Sequence, residues 1–127
     1  MSKKILICDD DPVVRFLMTE CLRLQGFTVE AFGNGTEFMQ HALANPPDIL
    51  FLDVIMPDQS GFDVLKSVRA EATLAKLPVV MLSANAEDRR LQAAAGDLKP
   101  DRFLEKPWQM QQLIDTVQEL TQSSQKS

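Results

Sequence analysis

Five short apolar runs punctuate the chain, and between them apolar residues recur every three or four positions. The runs are Ile5-Leu-Ile-Cys8, Thr28-Val-Glu-Ala-Phe32, Ile49-Leu-Phe-Leu52, Val79-Val-Met-Leu82 and Arg102-Phe-Leu-Glu105. Continuous apolar runs of this length suit strands buried on both faces, as in a parallel sheet, whereas the second run alternates like an edge strand. The first helix begins at Pro12 with Asp11 placed to cap it, carries the stripe Val14, Leu17, Met18, Cys21 and Leu22, and stops at Gly26. Thr36 can cap a second helix bearing Phe38, Ala42 and Leu43, which Asn45-Pro46-Pro47 ends. Phe62, Leu65 and Val68 mark a third, residues 87–95 a fourth, and a fifth follows Pro107 with Leu113, Ile114, Val117 and Leu120 facing inward. A β-α unit repeated five times predicts the α/β class: a single doubly wound five-stranded parallel sheet, (βα)5, with helices on both faces, since such crossovers are right-handed. Residues 1–122 read as one domain and 123–127 as a flexible polar tail.

Bulk composition narrows the function classes. At 127 residues and 45 % apolar content, the chain has material for one core and no room for two ordinary domains. A formal net charge of -5 argues against a nucleic-acid grip, which needs a Lys/Arg patch, and against an anionic membrane surface. No stretch approaches the ~18 apolar residues of a membrane span, and no signal-peptide pattern is visible, so the expected location is the cytoplasm. Cys8 and Cys21 fall on apolar positions outside any CxxC pattern and are expected as buried, reduced thiols. His41, the single histidine, lies mid-helix, far from any strand end.

Ligands of an open parallel sheet bind beyond the carboxyl ends of its strands, so the residues ending each strand matter most. The first strand ends in Asp9 and Asp10, the third in Asp53 and the fourth in Ser83, while the fifth ends one residue before Lys106. Two carboxylates ~4 Å apart repel by ~1 kcal/mol in water and by several times that near a protein surface. Three together require a cation. A hard divalent ion that keeps several waters fits best, namely Mg²⁺, with Mn²⁺ as a substitute. Such an ion beside a further carboxylate, an amine and a hydroxyl is a phosphoryl-transfer arrangement. Asp53 would supply the attacking oxygen, Ser83 a hydrogen-bond donor and Lys106 a positive charge.

Four segments carry a resemblance to a known family. Ile5-Leu-Ile-Cys-Asp9-Asp10-Asp-Pro12 is similar to the start of a response-regulator receiver domain of two-component signalling. Phe51-Leu-Asp53-Val-Ile-Met-Pro57 with Ser60-Gly61 resembles its phosphoacceptor segment, Met81-Leu-Ser83-Ala84 its hydroxyl segment, and Phe103-Leu-Glu-Lys106-Pro107 its Lys-Pro ending. Each piece alone is common; the four in order, each at the end of the right strand, are specific. The resemblance covers residues 3–120 and implies a flavodoxin-like receiver fold. It further implies that Asp9, Asp10, Asp53 and the backbone carbonyl of Ile55 ligate Mg²⁺, and that Asp53 is phosphorylated. Ser83 and Lys106 would contact the phosphoryl group, Phe103 would act with Ser83 as the aromatic switch, and the Lys106-Pro107 peptide would be cis. The donor would be a sensor histidine kinase or a histidine phosphotransfer protein. The reader would be an unnamed downstream protein, and the chain would not be a conventional turnover enzyme.

Neighbouring residues have plainer readings. Asp11 is a helix cap, Asp58 a turn residue, Gly61 a source of backbone freedom for that turn, and Arg89-Arg90 a solvated helix face. Ile55 and Asn85 flank the path of the hydrolytic water in the family, and an apolar Ile55 predicts slow self-dephosphorylation. The segment Ala95-Gly-Asp-Leu-Lys-Pro-Asp101 departs from the family's tighter turn, which leaves the partner face open. Trp108 follows Pro107 where Phe is usual and offers a fluorescence reporter. Among other readings, the chain could be the excised N-terminal receiver of a longer multidomain regulator. A flavin mononucleotide carrier on the same fold would need a Thr/Ser/Gly loop where this chain has Asp9-Asp10-Asp11, and an aspartate-nucleophile phosphatase would need a second acid where it has Ile55.

Overall fold

The computed structural model describes residues 3–56, 58–83, 99–106 and 108–125. Its elements are β1 (Lys4–Cys8), α1 (Pro12–Leu24), β2 (Thr28–Phe32), α2 (Gly35–Ala44), β3 (Ile49–Asp53), α3 (Gly61–Ala70), β4 (Val79–Ser83), β5 (Arg102–Glu105) and α4 (Met110–Gln125). The strands form one parallel sheet in the order β2-β1-β3-β4-β5. The helix expected over 87–95, the Arg89-Arg90 pair and Asn85 lie outside the described residues.

Side-chain alternation along the buried strands divides the core in two. Leu6, Cys8, Leu50, Leu52 and Met81 face one way, onto Phe38 of α2 and Phe62, Leu65 and Val68 of α3. Ile5, Ile7, Ile49, Phe51, Val80 and Leu82 face the other, onto Met18 and Leu22 of α1 and Leu113, Ile114 and Val117 of α4. Continuous apolar runs are therefore required in β3 and β4, whose residues are all buried on one face of the sheet or the other. Both cysteines are buried and unpaired.

Local chemistry sets the helix ends. Asp11 caps α1 by accepting the Val13 N–H at 2.9 Å, and Gly26, at φ 93°, takes the left-handed turn that ends it. Ser60 and Asp63 close a reciprocal capping box at the start of α3. Three expectations are corrected. The cap of α2 is Asn34, whose Oδ1 accepts the Glu37 N–H at 2.9 Å, because Asn34 is extended while Thr36 already lies inside the helix. Leu43 is 43 % exposed, since it sits ~100° around the helix from Ala42, beyond the arc that meets the sheet. Leu17 is 47 % exposed because its side of α1 borders a groove instead of the sheet. α4 starts at Met110 and its backbone stays helical through Gln125, into the segment read as a polar tail.

Candidate functional site

Strand order places the site. β1 is followed by β2 on one side and flanked by β3 on the other, so the connections diverge and leave a crevice between the carboxyl ends of β1 and β3. Asp9 and Asp10 follow β1, and Asp53 ends β3. Each of the three offers a carboxylate oxygen, all within 4.8 Å of one another. Asp9 is fully buried, Asp53 is 5 % exposed and Asp10 is exposed.

Lys106 enters from the end of β5, where its N–H bonds the Ser83 carbonyl at 2.8 Å. Its Nζ stands 2.9 Å from Asp9 Oδ2 and 3.6 Å from Asp53 Oδ2. One ammonium thus faces two buried carboxylates and leaves an acidic excess. Asp9 Oδ1 is used internally, accepting the Asp11 N–H at 2.9 Å. Asp9 Oδ2 is buried with the Lys106 ammonium as its partner, an ammonium that Asp53 shares. Two buried carboxylates on one ammonium, with the Asp10 carboxylate beside them, are costly unless a further cation balances the charge. The donor set is all oxygen, and the three acids therefore fit a hard divalent ion.

The electrostatics agree with that excess. Burial raises the Asp53 pKa, the Asp9 charge raises it further, Lys106 opposes, and contact with Asp10 adds to the rise, bringing it to about 7. Burial works against the Lys106 ammonium, but Asp9, Asp53 and Asp10 together outweigh it and hold its pKa above the usual lysine value. Folded Asp53 keeps a proton above pH 3.8, its ordinary value, where the unfolded carboxyl has lost it. This group therefore favours folding at the acid end, and its contribution is lost as pH rises through about 7. In metal-free buffer the contribution amounts to ~2–4 kcal/mol. Denaturant titrations at pH 5 and pH 8 with chelator should show the loss, and added Mg²⁺ should restore stability at pH 8 by binding the ionised cluster. A flat profile would mean that Asp53 is not desolvated as described.

The remaining residues named from sequence lie on β4, on β5 and just beyond β3. Ser83 ends β4, fully buried, next to the Asp53–Leu82 register pair. Ile55 lies two residues beyond Asp53 with its side chain 54 % exposed. Phe103 is half-buried on β5 opposite Met81, its ring 6.3 Å from that of Phe62. Pro107, and with it the cis-peptide expectation, lies outside the described residues. Gly61 is corrected: its φ is not positive, and what it provides is space. A Cβ there would run into the Asp53 carbonyl oxygen, while the Gly61 N–H bonds the Val54 carbonyl at 2.7 Å.

Two residues at the site were not picked out from sequence. Arg15, one turn into α1, reaches back so that Nη1 donates to the Asp9 carbonyl at 2.8 Å, and it lies over Gly33. Asp58, read as a turn residue, accepts hydrogen bonds from the first turn of α2. The Arg15 contact could have been suspected from a basic residue six positions after an acid; nothing local announces the Asp58 contact. Beside the site, Val13 and Phe16 are 62 % and 63 % exposed. Val14, Leu17, Met18, Lys106, Trp108 and Met110 line an apolar groove of about 230 Å³.

The model of the response regulator receiver domain matches residues 5–118. The chain is similar to the response regulator MprA of Mycobacterium ulcerans, 34 % identical over 121 residues, covering 94 % of this chain and 50 % of MprA. It is also similar to the transcriptional regulatory protein GltR of Pseudomonas aeruginosa, 29 % identical over 124 residues, 98 % of this chain and 51 % of GltR. It thus spans about half the length of the curated relatives it matches. Among solved structures, the chemotaxis response regulator CheY4 of Vibrio cholerae superposes with a TM-score of 0.84 at 28 % identity, over 94 % of this chain and 99 % of that one. No helix among the described residues is long and apolar enough to cross a membrane. Receiver domains bind Mg²⁺ at an acidic site and partner with histidine kinases and downstream effectors, and phosphoryl transfer is their function. With this crevice and these relatives, the chain belongs to the response regulator receiver domains of two-component signalling.

Proposed function

We propose that Asp53 is the phosphoacceptor and that its donor is a phosphohistidine on a sensor histidine kinase or a histidine phosphotransfer protein. The observation that carries this reading is the buried carboxylate cluster of Asp9, Asp10 and Asp53 with Lys106 between Asp9 and Asp53. An Asp53 Oδ attacks phosphorus and an O–P bond forms. The P–N bond breaks with its electron pair left on the imidazole, which takes a proton from solvent. Lys106 is near enough to turn from Asp9 toward the incoming phosphoryl oxygens, and Ser83 is placed on the neighbouring strand end to donate to one of them.

Asp9, Asp10, Asp53 and the Ile55 carbonyl are the proposed holders of Mg²⁺. When bound, the ion would neutralise the negative charge that the phosphoryl group brings. Two macromolecules rather than a protein and a free metabolite suit the rim of the site, where Val13, Phe16 and the groove before Trp108 expose apolar surface beside the acids. Phe103 and Ser83 are the proposed switch pair, acting by a shift between two pre-existing states. The residues fit equally a stand-alone regulator and the N-terminal receiver of a longer one. A cytoplasmic location follows from a kinase partner.

Acetyl phosphate or beryllofluoride with Mg²⁺ tests the reading. Half-buried Trp108 shares its groove with Lys106, so its fluorescence should change saturably with either reagent only when Mg²⁺ is present. No Mg²⁺-dependent change in fluorescence or in intact mass would overturn the reading. An apolar, exposed Ile55 at the mouth gives an attacking water no polar partner. The phosphorylated form should therefore persist for minutes after donor removal, and decay within seconds in Mg²⁺ buffer would contradict this.

A further inference from the structure

We infer that Asp58 is a positioning residue for the metal site, fastening the loop after Asp53 to the N-terminus of α2. This rests on the proposed metal reading, in which the Ile55 carbonyl is a ligand.

Ile55 lies between β3 and α3, and on that reading its carbonyl would have to be held steady beside Asp53. The near end is fixed: the Val54 N–H bonds the Leu82 carbonyl at 3.1 Å, and Met56 is buried with its Sδ 2.9 Å from Cys8 Sγ. The far end is fixed by Asp58. Its Oδ1 accepts the Gly35 N–H at 3.1 Å, and its Oδ2 accepts the Thr36 N–H at 3.2 Å and the Thr36 hydroxyl at 3.0 Å. Gly35 and Thr36 open α2, so their N–H groups have no partner within the helix. Asn34 takes the Glu37 N–H and leaves these two for Asp58. A carboxylate is favoured there by the positive end of the helix, and the Gly35 bond in particular keeps Asp58 ionised, its pKa below the ordinary value.

The approach of the two segments is close. A Cβ on Gly35 would stand 2.6 Å from Gln59 Nε2 and 2.8 Å from Val64 Cγ2, so glycine at that position is what lets the loop reach the helix. Ile55 lies between Val54 and Met56, with its side chain turned to solvent, and Asp58 fastens the chain beyond them. Without the outer anchor, Met56 alone would hold the loop on that side of Ile55, and a ligand carbonyl that wanders costs affinity before it costs chemistry. Outer contacts that orient metal ligands commonly carry about tenfold or more in affinity.

Mg²⁺ titration followed by Trp108 fluorescence tests the inference in Asp58→Ala, Asp58→Asn and Asn34→Ala. The Asp58→Ala variant should bind Mg²⁺ about tenfold more weakly. At saturating Mg²⁺ it should take phosphate from acetyl phosphate at the wild-type rate. Asp58→Asn, which keeps one acceptor oxygen, should fall between. Asn34→Ala weakens the same helix terminus without touching the loop, so it should lower the melting temperature yet leave Mg²⁺ affinity unchanged. Wild-type affinity in Asp58→Ala, or equal losses in Asp58→Ala and Asn34→Ala, overturns the inference while leaving the metal site intact. Absence of saturable Mg²⁺ binding by the wild type overturns the metal reading and this inference with it.

Discussion

Asp53→Asn should abolish phosphoryl uptake and, in metal-free buffer at pH 8, make the chain more stable. Both outcomes come from one carboxylate. Uptake fails because an amide oxygen is a poor nucleophile and the covalent product needs the carboxylate. Stability rises because an ionised Asp53, 5 % exposed and facing Asp9 and Asp10, is destabilising when only Lys106 compensates. The gain should approach the ~2–4 kcal/mol assigned to the Asp53 titration, and the pH dependence of stability between 5 and 8 should flatten. Mg²⁺ should then stabilise the variant less than the wild type. Denaturant unfolding with and without Mg²⁺ measures all three. A variant less stable than wild type in chelator at pH 8 would show that the cluster is not strained by its own charge.

Gly61→Ala should be the most damaging single methyl group near the site. The added carbon meets the Asp53 carbonyl oxygen, with Met81 Cε at 2.8 Å on another side. A flexible side chain can yield, but the backbone of a central strand cannot, so the cost should be ~3 kcal/mol, the upper range for overpacking. For a chain of this length that lowers the melting temperature by ~10 °C. Because the push falls on the Asp53 peptide itself, Mg²⁺ binding should weaken as well. Gly33→Ala is the matched control: its Cβ meets only the Arg15 guanidinium, at 2.8 Å, the end of a long side chain that can swing away. A melting temperature in Gly61→Ala within a degree or two of Gly33→Ala would contradict the close approach.

The parts of the structure that could be read from sequence are those governed by neighbours in the chain. Period-two burial makes the apolar runs visible, and strand order then brings Asp9, Asp10, Asp53 and Lys106 to one crevice without any knowledge of contacts. Asp11 and Gly26 declare the ends of α1 for the same local reason. Readings failed where two local solutions compete or where the deciding partner is distant. Asn34 and Thr36 can each cap a helix, and only the extended backbone at Asn34 chooses between them. Thr36 is free to meet Asp58 because Asn34 caps, and that meeting spans 22 positions. Gly61 looks like a turn glycine, yet the constraint is the oxygen of a residue eight positions earlier. Leu17 and Leu43 continue apolar stripes by spacing, but each lies off the arc of its helix that meets the sheet.

The central claim is that the phosphoryl group resides on Asp53. Borohydride reduction of the Mg²⁺- and acetyl phosphate-treated protein, followed by peptide mapping, tests it most directly, because reduction of an aspartyl phosphate leaves homoserine at the modified position. The account predicts homoserine at position 53 alone, dependent on Mg²⁺. Homoserine at position 9 or 10, or an Mg²⁺-dependent phosphorylated protein with no homoserine at 53, would contradict it.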